Sequence, residues 1–173
     1  MQEALPKLTS LDFLAEFGAP TSQLLLDAVA SRIRTECGWH IAPRITETVI
    51  LDSIGSTSIS LPTLHLVGVS AVRVWDGAQM VPLGGWDTRT GWSPLSCSIN
   101  YPAGFPVGAR ILEVDMVHGF EDCPEDLLRV IAVLSKPRIV QEALSGHSVT
   151  LANSGDAWGV ESTLARYRLG PRP

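Results

Sequence analysis

The sequence predicts an α+β protein, with a small helical core of about three main helices, an inserted antiparallel β-sheet or small barrel, and an extended C-terminal tail. Three observations predict it. Apolar residues recur at helical spacing up to Cys37, the period falls to two from Ile45 to about His118, and helical spacing returns after Pro124.

A first helix is expected over residues 9–17, where Leu11, Leu14 and Phe17 share a face and Gly18 ends it. Pro20 and Thr21 open a second, with Thr21 or Ser22 as its N-cap. Its apolar stripe is Leu26, Val29, Ala30, Ile33 and Cys37, while Asp27, Ser31, Arg34 and Thr35 lie on other faces. Gly38 then supplies the left-handed turn that closes a helix, which lets Trp39 fold back onto Ile33. Pro43 stops helix from resuming and biases Ala42 toward extended backbone. Cys37, Gly38, Trp39, His40 and Pro43 are therefore read as a structural joint, and joints of this kind seldom carry chemistry.

Past the joint the pattern is that of strands. Residues 46–51 read as one, residues 52–56 as a turn and residues 57–61 as another strand. Residues 70–75 and 78–81 flank Asp76-Gly77, the strongest short hairpin signal in the chain. A Gly/Trp-rich loop at 83–94, a strand at 95–99 and a turn region at 102–108 follow. Residues 109–118 form a clear strand on which Leu112, Val114 and Met116 face one way and Glu113 and Asp115 the other. Many short strands joined by tight turns suit an antiparallel sheet or a small barrel.

Helix returns at Pro124, where Glu125 and Asp126 suit the positive end of the dipole. Leu127, Leu128, Val130, Ile131, Val133 and Leu134 leave little polar face, so this helix should be central. Pro137 interrupts it, and residues 139–144 continue it to Gly146. The expected organisation is one domain over 1–146, with helices within 9–38 and 124–146 and the β insertion at 44–119. Residues 147–173 form a docking tail, largely extended, with a helical turn or two near 160–166.

A chain of 173 residues with 45% hydrophobic and 18% charged residues can bury a core without staples. No apolar run approaches the ~18 residues of a transmembrane helix, and residues 1–10 lack the layout of a secretory signal. Cys37, Cys97 and Cys123 are an odd, widely spaced set, which is no disulfide framework and suits a reducing cytoplasm. The net charge is −5. The last twelve residues hold only Arg166, Arg168 and Arg172 as charges, so the remainder carries −8. An acidic body does not grip nucleic acid, although it can repel DNA that slides past.

Few residues invite chemistry. Cys37 with His40 could be a nucleophile pair or half of a zinc site, but structural zinc takes four ligands, and His65, His118 and His147 are scattered. Cys37 also falls on a buried face, where cysteine acts as a small hydrophobe. Glu121, Asp122, Glu125 and Asp126 could suggest a cation site or acid–base work. They lack the glycine and alternating oxygens of a calcium loop, and helix capping accounts for them. Neither a Gly-x-Ser-x-Gly elbow nor a Gly-rich phosphate loop is present. No catalytic, cofactor-binding or metal residue is assigned. Trp39 is read as core, whereas Trp75, Trp86, Trp92 and Trp158 are either contact anchors or local packing under loops. Leu164, Arg166, Tyr167, Arg168 and Leu169 combine apolar anchors with planar donors for carboxylates, and are the candidate partner-docking residues.

Residues 25–34, the run Cys37-Gly38-Trp39-His40-Ile41-Ala42-Pro43, Leu61 to Leu66, Val117-His118-Gly119-Phe120 and the ending Arg166-Tyr167-Arg168-Leu169 together resemble one family. These segments, in this order, look like the head-to-tail adaptor (connector) proteins of long-tailed phages that infect actinobacteria. The loop from Gly84 to Pro94 and Pro137 have no counterpart in that pattern. The resemblance implies a structural virion protein, not an enzyme and without cofactors, made in the host cytoplasm and placed in the neck. It implies a homo-oligomeric ring, dodecameric, on the portal protein, facing the stopper or tail, with genomic DNA passing through without sequence-specific binding and with no membrane. The C-terminal residues would dock on the portal or on a neighbouring subunit. A tail-terminator or tail-completion protein is the alternative, and a Cys/His- or carboxylate-dependent hydrolase is a remoter one.

Overall fold

The computed structural model describes residues 6–10, 12, 22–92, 97–135 and 159–170. In chain order these hold α1 (Gln23–Cys37), then β1 (Ile45–Ile54), β2 (Ser58–Ser60), β3 (His65–Trp75) and β4 (Met80–Pro82). There follow β5 (Asp87–Arg89), β6 (Gly91–Trp92), β7 (Ser98–Asn100) and β8 (Val107–His118), then α2 (Glu125–Leu134) and α3 (Val160–Tyr167). The helix expected over 9–17 falls almost wholly outside the described residues, as do Pro137, residues 139–146 and the expected boundary at 146/147.

The chain divides into two compact units. One is Gly38–Cys123 with Met1–Leu8 and Leu169–Pro173, and the other is Thr9–Cys37 with Pro124–Arg168. The strands thus sit in a segment that interrupts the helices in sequence.

In the β unit, β8 is the spine. Its alternation buries Leu112, Val114 and Met116 on one face. Across β1 these pair with Leu51, Val49 and Glu47, and across β3 with Val74, Val72 and Val69. The antiparallel order is β1-β8-β3-β4, with β6 pairing the start of β3. A second antiparallel sheet runs β2-β7-β5. Leu61, Leu66, Cys97, Ile99 and Phe105 join the β8 residues in one core that draws on both sheets. Both sheets are open, and among the described residues no barrel closes. On the opposite face of the larger sheet, Arg73 forks onto both oxygens of Asp115 (2.7 and 2.8 Å) and donates to Glu113, while the Thr48 hydroxyl donates to Asp115. A buried apolar face and a paired polar face specify the register over residues 112–116 of β8.

The structure differs from the sequence reading in four places. β3 begins at His65 and not near residue 70, because register shifts between Leu66 and Gly68 and between Val69 and Ala71 break its period of two. At Asp76-Gly77 the connection is a four-residue loop. Trp75 pairs with Met80, and the Asp76 carboxylate accepts the N–H groups of Ala78 (2.8 Å) and Gln79 (2.9 Å). That side-chain capping competes with a two-residue turn and wins. The loop 83–94 holds β5 and β6, each too short to show a period. Pro124 is the N-cap of α2 and not its first helical residue (φ −55, ψ 139).

The helical unit keeps the expected faces. α1 buries Leu26, Val29, Ala30, Ile33 and Cys37, and α2 buries Leu127, Leu128, Val130, Ile131 and Ala132. α3 forms the helical turns expected near 160–166, running for eight residues, and buries Val160, Leu164 and Tyr167 while packing on α1 and α2. Backbone turns extended again at Arg168 (φ −76, ψ 131).

Candidate functional site

The sequence-predicted residues gather at two places, one in each unit. In the β unit, Gly38 takes the left-handed conformation expected of it (φ 79) and Trp39 is buried, its ring 6.2 Å from that of Phe120. The peptide between Ala42 and Pro43 is cis. His40 is buried, and its Nε2–H donates to the Pro43 carbonyl.

The chain leaves the β unit alongside this joint. Phe120 N–H donates to the Ile41 carbonyl (2.8 Å) and Gly119 N–H to that of His65 (2.9 Å). Gly119 has φ 93, and a Cβ there would lie 3.2 Å from the Ile41 oxygen and 3.3 Å from the Pro43 oxygen. Only glycine lets the two backbones come so close. His65 locks the assembly from β3: its ring stacks on Phe120 with centroids 4.3 Å apart, and its Nδ1–H donates to Gly119 (2.9 Å). The two ends of the inserted segment are thereby tied together within the β unit.

His118 completes the knot. It is 1% exposed, with Nε2 3.0 Å from Glu47 Oε1 and its ring edge-on to His40 at 6.0 Å. Among the described residues His118 Nδ1 has no hydrogen-bond partner. His118, with desolvation opposing it and His40 adding a little, holds the Glu47 carboxyl below the ordinary carboxylate value. The sequence reading gave Glu47 no role and set His118 aside as a scattered histidine. The alternation of β8 carried the signal, since His118 is in phase with Leu112, Val114 and Met116.

In the helical unit, Asp126 is the centre. Its Oδ1 accepts from the Tyr167 hydroxyl (2.8 Å) and from Leu127 N–H (2.9 Å), and its Oδ2 pairs with Arg166 (2.9 Å). Arg168 forks onto Glu161 and reaches Glu36 (3.5 Å). Of the candidate docking residues, Leu164 and Tyr167 are thus buried in the chain's own helical unit. Arg166 is 57% exposed, and Arg168 is partly so. Leu169, in the β unit, approaches Gly38. The sequence shows Asp126 as a helix-start carboxylate, but its role as a clasp depends on α3 returning to α2.

Chemistry finds little purchase here. Burial pushes the Cys37 thiol up to about 11, with Arg168 opposing, so at neutral pH it is a protonated thiol, a poor nucleophile and a poor ligand. Among the described residues no three His, Cys, Asp or Glu side chains are grouped to hold a metal ion. Of residues 121–126, Glu121 faces Arg44 at 3.7 Å near the surface and Asp126 serves the clasp. Trp86 packs against the β core, Trp75 is exposed on β3, and Trp158 lies outside the described residues.

No protein-family model matches the sequence, and no curated protein does. Solved structures match the fold from end to end. A chain of the neck of an empty gene transfer agent (GTA) particle, computed with C6 symmetry, superposes with a TM-score of 0.64 at 17% identity, over 99% of this chain and 95% of that one. A chain of the neck of the native GTA particle, computed with C12 symmetry, gives 0.62 at 19% identity, over 98% and 97%. A chain of the native gene transfer agent virion gives 0.60 at 18% identity, over 98% and 94%. At these identities the likeness is one of fold.

Proposed function

We propose that this chain is a structural protein of the neck of a phage-like virion, acting as a head-to-tail adaptor that forms a ring between the portal and the stopper or tail. The observation that carries this is the end-to-end likeness of fold to chains of GTA neck structures, two of them computed with sixfold and twelvefold symmetry. The sequence resemblance to phage connectors points the same way independently.

The mechanism is assembly and involves no turnover. A ring requires two unlike faces on each subunit, because only a head-to-tail contact with the right rotation closes. The knot of Ile41, Pro43, Gly119 and Phe120 supports such a role, since it lets the inserted segment act as one stiff piece. In this proposal Arg166, Arg168 and Leu169 dock on the portal or a neighbour, while Leu164 and Tyr167 hold α3 at the place from which they reach. The acidic remainder of the chain suits a conduit wall that DNA passes without adhering. A dodecamer is the stoichiometry we favour.

The test is electron microscopy of the purified chain mixed with isolated portal rings. Rings stacked coaxially on the portal are expected. Binding to tail tubes but not to portal would replace the adaptor reading with that of a tail terminator.

A further inference from the structure

We propose that the free edge of β1 is a self-association surface, against which a second copy of this chain lays a strand. The inference rests on the ring reading above. Among the described residues β1 pairs with β8 alone, so a ten-residue strand borders the sheet with a row of main-chain groups turned outward. Natural sheet edges of this length carry guards such as lysine, proline or a projecting charge. β1, ITETVILDSI, has no lysine and no proline. Both of its carboxylates are already engaged: Glu47 lies against His118, and Asp52 accepts the N–H of Arg110 (2.6 Å).

What remains at the surface is uncharged and grows more apolar toward one end. Thr46 and Thr48 are exposed, Ile50 is 47% exposed, Ile54 is 87% exposed, and Val107, which pairs with Ile54, is 72% exposed. The irregularity that sets this end apart places residues 109–111 of β8 opposite Asp52, with Arg110 at a left-handed φ of 52, a conformation that costs energy for a non-glycine residue.

The occupant follows from charge and from the ring. Each copy carries −5, so copies repel where acidic surfaces meet, while the exposed Thr46, Thr48, Ile50 and Ile54 of β1 add no charge to such a contact, and the fold resembles chains of necks computed with C6 and C12 symmetry. Main-chain hydrogen bonds along an added strand supply the attraction, and Ile50, Ile54 and Val107 supply apolar contact.

Native mass spectrometry of the purified full-length chain over a concentration series, paired with amide hydrogen exchange, tests this. Oligomers should grow with concentration, and the outward-facing amides of 45–54, those not bonded to β8, should exchange more slowly in them than in the dilute monomer. Ile50→Lys and Ile54→Lys should each lose the oligomers while keeping the parent circular dichroism and melting temperature. Leu24→Lys, at an exposed position on α1, should keep them. The inference is overturned by a monomer at every concentration, by oligomers whose β1 amides exchange as fast as the monomer's, or by Ile54→Lys oligomers that match the parent. Slow exchange of those amides already in the dilute monomer would also overturn it, because the chain would then cover its own edge. A chain that stays monomeric alone yet stacks on portal rings would sink this inference and leave the neck reading standing.

Discussion

Glu47 and His118 show how a single pair shapes the response to acid. The folded-state pKa of Glu47 is depressed, chiefly by His118, so the pair contributes stability above the ordinary carboxylate value of 4.5. That contribution is lost as pH falls from there through the lower folded value. Glu47→Gln should therefore flatten the acid limb of a plot of melting temperature against pH, and a limb as steep as the parent's would contradict the pairing. Gly119 gives a sharper test. A side chain there meets two backbone oxygens at a left-handed φ, so Gly119→Ala should cost about 1–3 kcal/mol in urea unfolding. Alkylation of the native protein should modify Cys123, which is partly exposed, and spare Cys37 and Cys97 until unfolding. Fast modification of Cys37 would reopen the nucleophile reading.

At the scale of elements, legibility tracked periodicity. The stripe Leu26, Val29, Ala30, Ile33 and Cys37 is buried residue for residue as its spacing indicates, and so is the Leu112, Val114, Met116 face of β8. Periodicity failed where the chain departs from it: at the two bulges of β3, and in β5 and β6, which have too few residues to show a repeat. The knot was half visible. Gly38 and Pro43 announce a joint, but nothing local says that Gly119 and Phe120 lie against it. That contact is set by β8 returning beside β1. The turns of α3 were legible at 160–166, but their burial was not, since it depends on packing against α1 and α2. Two substitutions separate these elements. Trp39→Ala should cost about 3–5 kcal/mol, because a large buried ring beside Phe120 is removed. Tyr167→Phe should cost only about 1–2 kcal/mol, the share of one hydrogen bond to a carboxylate. An unchanged melting temperature for Trp39→Ala would refute the joint.

For the whole molecule, the organisation is a helical unit whose sequence is interrupted by a sheet-bearing segment with its ends sewn together. Surface loops on a segment tied at its own ends can vary in sequence, which would suit the neck role proposed above. Three groups of converging polar side chains among the described residues are spent on each other. Asp126, Arg73 with Asp115, and Glu47 with His118 each close a structural contact. The central claim is that this fold works as a ring in a virion neck. A cryo-electron microscopy map of the neck of a particle that contains this chain tests it most directly. We expect a closed ring of copies coaxial with the portal, each fitted by both units described here; density for the chain anywhere but the neck, or as single copies without rotational symmetry, would contradict the account.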